Sequence, residues 1–271
     1  MKYTISFMRP FLVASLMAMF LAVAVAADGG DTIPDQTESS TPASPADGPL
    51  TILVTDPISD QLACDCVQGF AQRQYSALAT LLEQQLGRSV KVVYATNIEK
   101  FWSRDSKDGT VALIIGKDSD IRYQAKQLKR KVRPIAALTD GQGKTTFQGM
   151  FVVRQLDPAQ TLADLSGYQL VIGPPSQVEK NQAALKKLSD EGLGAFGATE
   201  TRASRMKTVE TCTDAANLLL SLSDTDTTVA AISDYAKVLL EGCDTIPKGS
   251  LRVIGRTEPV PFITAFAPED I

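Results

Sequence analysis

Four cysteines and no histidine bound the chemistry open to this 271-residue chain. Lacking histidine, it cannot build a Ser-His-Asp triad or a Cys-His pair, and it lacks the commonest metal ligand. Two of the cysteines stand close together in Cys64-Asp65-Cys66; the others, Cys212 and Cys243, lie far downstream. Three readings of the C-x-C element stay open: each cysteine as half of a structural disulfide, a labile or redox-active pair, or a soft-metal site completed by Asp65. The remaining polar groups at loop positions suit holding a ligand better than transforming one. They are Asp56 and Ser59, Lys117 and Ser119 in Gly116-Lys117-Asp118-Ser119, the pair Thr145-Thr146, Ser176, and Asp234. No local motif places a carboxylate dyad or a Ser-Lys pair, so an enzyme is not expected and no cofactor is implied.

The N-terminus sets the compartment. Lys2 and Arg9 precede an apolar run from Phe11 to Ala26 that ends in Ala24-Val25-Ala26, the pattern of a secretory signal peptide cleaved before Ala27. The alternative is an uncleaved membrane anchor. No cysteine sits at the cleavage point, which argues against a bacterial lipid anchor. A periplasmic or secreted location is oxidising, so cysteine pairing is the default there, and a Cys212–Cys243 disulfide is the pairing expected. The chain carries 27 basic and 31 acidic residues, and cleavage would leave about −6. Nothing in that balance suggests a nucleic-acid or anionic-membrane partner. The basic stretch Lys126–Arg133 reads as the solvated end of a helix entering a strand.

Residues 27–48 are rich in Asp, Thr, Ser, Pro and Gly, too polar to offset their ordering entropy, and read as a flexible leader. From Pro49 onward, short β-rich runs alternate with amphipathic segments. Strands are expected at Leu50–Thr55, Val90–Tyr94, Val111–Ile115, Arg133–Leu138, Gly149–Val153, Gln169–Gly173, Thr228–Ile232, Leu251–Ile254 and Phe262–Phe266. Helices are expected at Gln68–Leu86, closed by Gly87, and at Ser119–Leu128, Ser176–Gly192, Cys212–Leu222 and Ser233–Glu241, with a short turn over Thr161–Gly167. Such alternation implies an α/β fold with largely parallel sheets, and the length of the folded part suits two small lobes.

Several stretches then carry a resemblance. Leu50–Pro57 looks like a first strand and ligand loop, and Leu78–Gly87 fits an L-x-x-x-L-x-x-x-x-G helix. Gly149–Arg154 followed by Leu162-Ala163-Asp164-Leu165-Ser166-Gly167 fits a second pattern, and Leu251–Ile254 followed by Glu258-Pro259-Val260-Pro261-Phe262 a third. Together they resemble the phosphate/phosphite/phosphonate substrate-binding proteins of ABC transporters. The resemblance implies a type II periplasmic-binding-protein fold: two lobes, each a mostly parallel sheet flanked by helices, joined by two crossover strands. Lobe 1 would comprise about 49–139 plus 236–271 and lobe 2 about 140–235, with hinges near Asp140–Thr146 and Ile232–Tyr235.

The ligand is then expected where strands end and helices begin, in four loops: Thr55–Cys66, Gly116–Ser119, Thr145-Thr146 and Gly173–Asn181. Ser119 is also a candidate helix cap. The fourth loop departs from the family's S-T-S-G type of turn. Pro174 and Pro175 remove amide donors, only Ser176 offers a hydroxyl (or serves as a helix cap), and Glu179 would repel an anion unless Lys180 offsets it. The expected role is capture of a small anion, a phosphate- or phosphonate-like oxyanion by resemblance, for a membrane ABC permease. The alternative is an accessory protein on the same scaffold, for example a partner of an exported quinoprotein dehydrogenase; the proline-bearing loop and the C-x-C favour that reading.

Overall fold

A computed structural model describes residues 48–63, 73–102, 111–194, 205–223 and 225–269. The leader, the signal segment and the Cys64-Asp65-Cys66 element lie outside them.

Two five-stranded sheets organise the chain. The first runs β2-β1-β3-β12-β4, built from β1 (Leu50–Val54), β2 (Val90–Tyr94), β3 (Val111–Lys117), β4 (Val132–Ala137) and β12 (Ile263–Pro268). The second runs β10-β6-β9-β7-β8, built from β6 (Gly149–Arg154), β7 (Gln169–Ile172), β8 (Met206–Thr208), β9 (Thr228–Ser233) and β10 (Leu251–Arg256). Each sheet holds one reversed strand: β12 is antiparallel to β3 and β4, and β6 to β9 and β10. Both reversed strands come directly after a crossing between the sheets. The crossings themselves pair as a small antiparallel ribbon of β5 (Thr146–Phe147) and β11 (Val260–Pro261).

The alternation legible in the strands decides which helix covers which face. Ile52 and Val54 pack with Tyr75 and Ala79 of α1 (Tyr75–Leu86), while Leu53 and Ile114 pack with Ile121 and Ala125 of α3 (Asp118–Gln127). A short α2 (Glu99–Trp102) lies between them in sequence. In the second sheet, Phe151 and Val153 face Ala184 and Leu188 of α4 (Gln182–Asp190). Met150 and Val152 face Ala215 and Leu219 of α5 (Cys212–Ser221) and Leu240 of α6 (Asp234–Gly242).

Three local expectations need adjustment. The first helix begins at Tyr75 within the described chain. The helix expected from Ser176 splits into a 3-10 turn at Val178–Lys180 and α4, because Asn181 takes a non-helical φ of −124° and ψ of −93°. Strand β10, grouped by the sequence reading with lobe 1, is hydrogen-bonded to β6 in the second sheet, and Leu240 and Ile246 pack in that sheet's core. The chain returns to the first sheet at β12.

Three aromatic rings brace the crossing. Phe147 of β5 lies 4.4 Å from Phe262 between ring centroids, and Tyr235 at the start of α6 stacks on Phe262 at 5.3 Å. Asp234 accepts a hydrogen bond from the Gln148 amide, which ties α6 to the first crossover.

Candidate functional site

The carboxyl ends of β1, β2 and β3 in one sheet and of β7, β8 and β9 in the other meet around a cavity of about 360 Å³. The first sheet contributes Thr55, Pro57, Ile58, Thr96, Lys117 and Asp120 to its wall. From the second come Gln177, Lys180, the start of α5 (Thr211, Cys212, Thr213) and one face of α6 (Tyr235, Ala236, Leu239, Leu240, Cys243). This is where an open α/β sheet gathers ligands. The walls mix a few charges with an apolar flank, and two helix starts supply amides that have no acceptor within their helices.

The start of α5 is well defined. Thr211 accepts from the Asp214 amide while Asp214 accepts from the Thr211 amide, a reciprocal capping box. That arrangement fixes where Cys212 and Thr213 face the cavity.

Charge in the cleft is dominated by one buried ion pair. Lys117, at the end of β3, donates to Glu179 Oε1 at 2.8 Å, and Ser233 Oγ donates to the same oxygen at 2.7 Å. Glu179 is fully buried, and its Oε2 has no hydrogen-bond partner among the described residues. Burial by itself would lower the Lys117 ammonium's pKa, but the facing Tyr235, Glu179 and Asp120 raise it above the ordinary lysine value, so it stays charged. Asp120 stands 3.8 Å from Lys117 and hydrogen-bonds Ser176 across the cleft; burial raises its carboxyl, with Lys117, Ser176 and Lys180 opposing. Tyr235 is also pushed up, chiefly by burial.

Lys180 is the other cation on the wall. It is 3 % exposed, and among the described residues its ammonium has neither a hydrogen bond nor an ion pair. Gly173 gives it room: a Cβ there would stand 2.8 Å from Lys180 Cε.

The structure distributes the residues expected from sequence unevenly. Lys117, Cys212 and Cys243 line the cavity. Asp56 is fully buried and accepts from the Ile58 amide, Arg73 and the Tyr75 hydroxyl, so it fixes the first loop. Ser59 is buried in the same loop, bridged to Arg73, with its Oγ unpartnered among the described residues. Ser119 lies inside α3 with its hydroxyl buried and unpartnered among the described residues; the capping position is Lys117, not Ser119. Ser176 bonds Asp120 and does not cap α4. Thr145 and Thr146 belong to the crossover, where the Thr145 carbonyl accepts from the Phe262 amide. Asp234 is held by Gln148.

The expected Cys212–Cys243 disulfide is absent, and both are free thiols. The Cys212 thiol is turned to Ser233 instead: its sulfur accepts from the Ser233 amide at 3.4 Å and its S–H donates to the Ser233 hydroxyl at 3.7 Å. Cys243, for its part, caps the far end of α6. Cys64 and Cys66 lie outside the described residues. Sequence reasoning missed Asp120 and Tyr235. The signal for Asp120 was its position one turn after a strand-end lysine; Tyr235 stood only as the edge of the expected hinge.

Residues 70–270 match a family model described as the ABC transporter, phosphonate, periplasmic substrate-binding protein. No curated protein matches the chain in sequence. Among solved structures, a Xanthomonas citri protein bound to ATP superposes with a TM-score of 0.54 at 18% identity, covering 82% of this chain and 77% of that one. A phosphonate-binding protein of Prochlorococcus marinus in complex with methylphosphonate superposes with a TM-score of 0.52 at 16% identity, covering 82% of this chain and 76% of that one. At such identities the likeness shows the fold alone.

Proposed function

For a chain that belongs to the phosphonate family of ABC-transporter periplasmic substrate-binding proteins, we propose capture of a small organic anion in the cavity between the two sheets. The family consists of binding proteins, not enzymes, whose members hold small molecules and work with membrane ABC permeases in the periplasm. An N-terminal segment removed before Ala27 fits that location.

The observation that carries the anion reading is Lys180: a residue 3 % exposed, on the cavity wall, whose ammonium has no hydrogen bond or direct ion pair among the described residues. Asp120 acts on Lys180 only from beyond ion-pair distance, and an acidic group of the ligand would give the ammonium a direct partner. The first turns of α5 and α6 open onto the same space and add amide donors and partial positive charge. Ile58, Leu239 and Leu240 offer an apolar flank for the body of the ligand. The ATP and methylphosphonate held by two proteins of this fold agree with an anionic ligand.

A thermal-shift panel of small carboxylates, sulfonates, phosphonates and amino acids on the purified chain tests this. Binding to the native state alone raises the melting temperature in proportion to ln(1 + [L]/Kd). At least one anion is expected to raise it in a concentration-dependent way; no shift with any of them contradicts the reading.

A further inference from the structure

We infer that Glu179 is the specificity-determining residue of this cleft: its carboxylate fills, from within the chain, the place an oxyanion would take against Lys117, and it limits the ligand to a single negative charge held at Lys180. The inference rests on the anion-capture reading above and narrows the class of ligand.

The geometry is that of a ligand replaced by a side chain. Lys117 reaches across from the first sheet and meets a buried carboxylate at 2.8 Å from the 3-10 turn after β7, itself oriented by Ser233 at 2.7 Å. Glu179 is held there by backbone as well as side chain. Its carbonyl oxygen packs so closely on Gly149 that no Cβ fits between them, and the Lys180 carbonyl accepts from the Gly173 amide. A Lys117 that already has this counter-ion offers an incoming anion little additional attraction.

The rest of the charge count points the same way. Two ammonium groups, Lys117 and Lys180, stand with three carboxylates, Asp120, Glu179 and Glu210, at or directly behind the cavity wall. A singly charged head group pairs with Lys180 and the helix starts. Among the described residues of the wall, a second charge on that head group would have no further cation to meet and would be repelled by all three carboxylates. A phosphonate dianion is therefore a poor fit, and a carboxylate or sulfonate on an apolar body is a good one.

Butanesulfonate and butylphosphonate make a matched pair, sharing a tail and a tetrahedral head but differing in charge at mildly alkaline pH. Isothermal titration of both into the wild-type chain and into Glu179→Gln tests the inference. The wild type is expected to bind the sulfonate about tenfold or more tighter than the phosphonate, and Glu179→Gln is expected to narrow or invert that ratio. A wild type that binds the phosphonate as tightly as the sulfonate overturns the inference and leaves the anion reading standing. Binding of neither by the wild type, together with a flat thermal-shift panel, removes the anion reading and this inference with it. If Glu179→Gln does not fold, the wild-type ratio alone decides.

Discussion

Lys117 Nζ and Glu179 Oε1 stand 2.8 Å apart, both nearly or wholly buried, with Lys117 at the end of β3 in the first sheet and Glu179 in the 3-10 turn that follows β7 of the second. Their pair is thus a bond across the cleft as well as a neutralised charge. Removing one member strands the other. Lys117→Met is expected to cost about 3–5 kcal/mol, because Glu179 is left buried and charged. The double change Lys117→Met with Glu179→Leu is expected to recover most of that loss. Urea unfolding of the three chains checks this; a double variant as unstable as the single would show that the pair's geometry, not its charge, carries the stability.

Gly149 opens β6 with its amide on Thr257 and its α-carbon against the Glu179 carbonyl. Backbone cannot yield there as a side-chain tip would. Gly149→Ala is expected to cost about 1–3 kcal/mol by overpacking. Thermal melts measure it, and a change within error would mean the 3-10 turn at Val178–Lys180 shifts freely.

Asp120 gives a pH test whose sign is fixed by its environment. Burial raises its carboxyl above the ordinary aspartate value, so the folded chain binds this proton more readily than the unfolded one. Its favourable contribution is full below the unfolded pKa and is lost as pH rises through the folded one. Asp120→Asn is therefore expected to melt higher than the wild type at neutral pH, with the difference shrinking as pH falls toward about 4. A difference that does not change with pH would contradict this account of the site.

Thr211 caps α5 through the Asp214 amide. Thr211→Ala is expected to cost about 1 kcal/mol. Melting curves of Thr211→Ala and Thr211→Ser separate the cap from the side chain's bulk: the serine variant is expected to stay close to the wild type.

Much of the architecture was legible because strands advertise themselves locally. Met150 and Val152 on one face and Phe151 and Val153 on the other form an unbroken apolar run, as expected of a strand covered on both sides. The return of Leu251–Arg256 to the second sheet was not legible, since strand pairing is a long-range choice and no local residue encodes it. The site followed the same division. The loop at Gly173–Asn181 stood out by its prolines and by Glu179, but the meeting of Glu179 with Lys117, 62 positions apart, required the fold. Asp56 was expected to touch the ligand from its place in the Thr55–Cys66 loop. Its three donors, the Ile58 amide, Arg73 and Tyr75, come from its own loop and the next helix, and they make it a structural anchor. The cysteine pairing was not legible, because compartment chemistry says only that thiols tend to pair and not where the fold puts them; here Cys212 and Cys243 are free, and the Cys212 sulfur accepts from the Ser233 amide.

The central claim is that the cleft holds an anion at Lys180. Isothermal titration of butanesulfonate into the wild type and into Lys180→Met, which keeps the stem that packs on Gly173, tests it most directly. The account predicts a loss of affinity of about tenfold or more with folding preserved. Equal affinity in the two chains would contradict it.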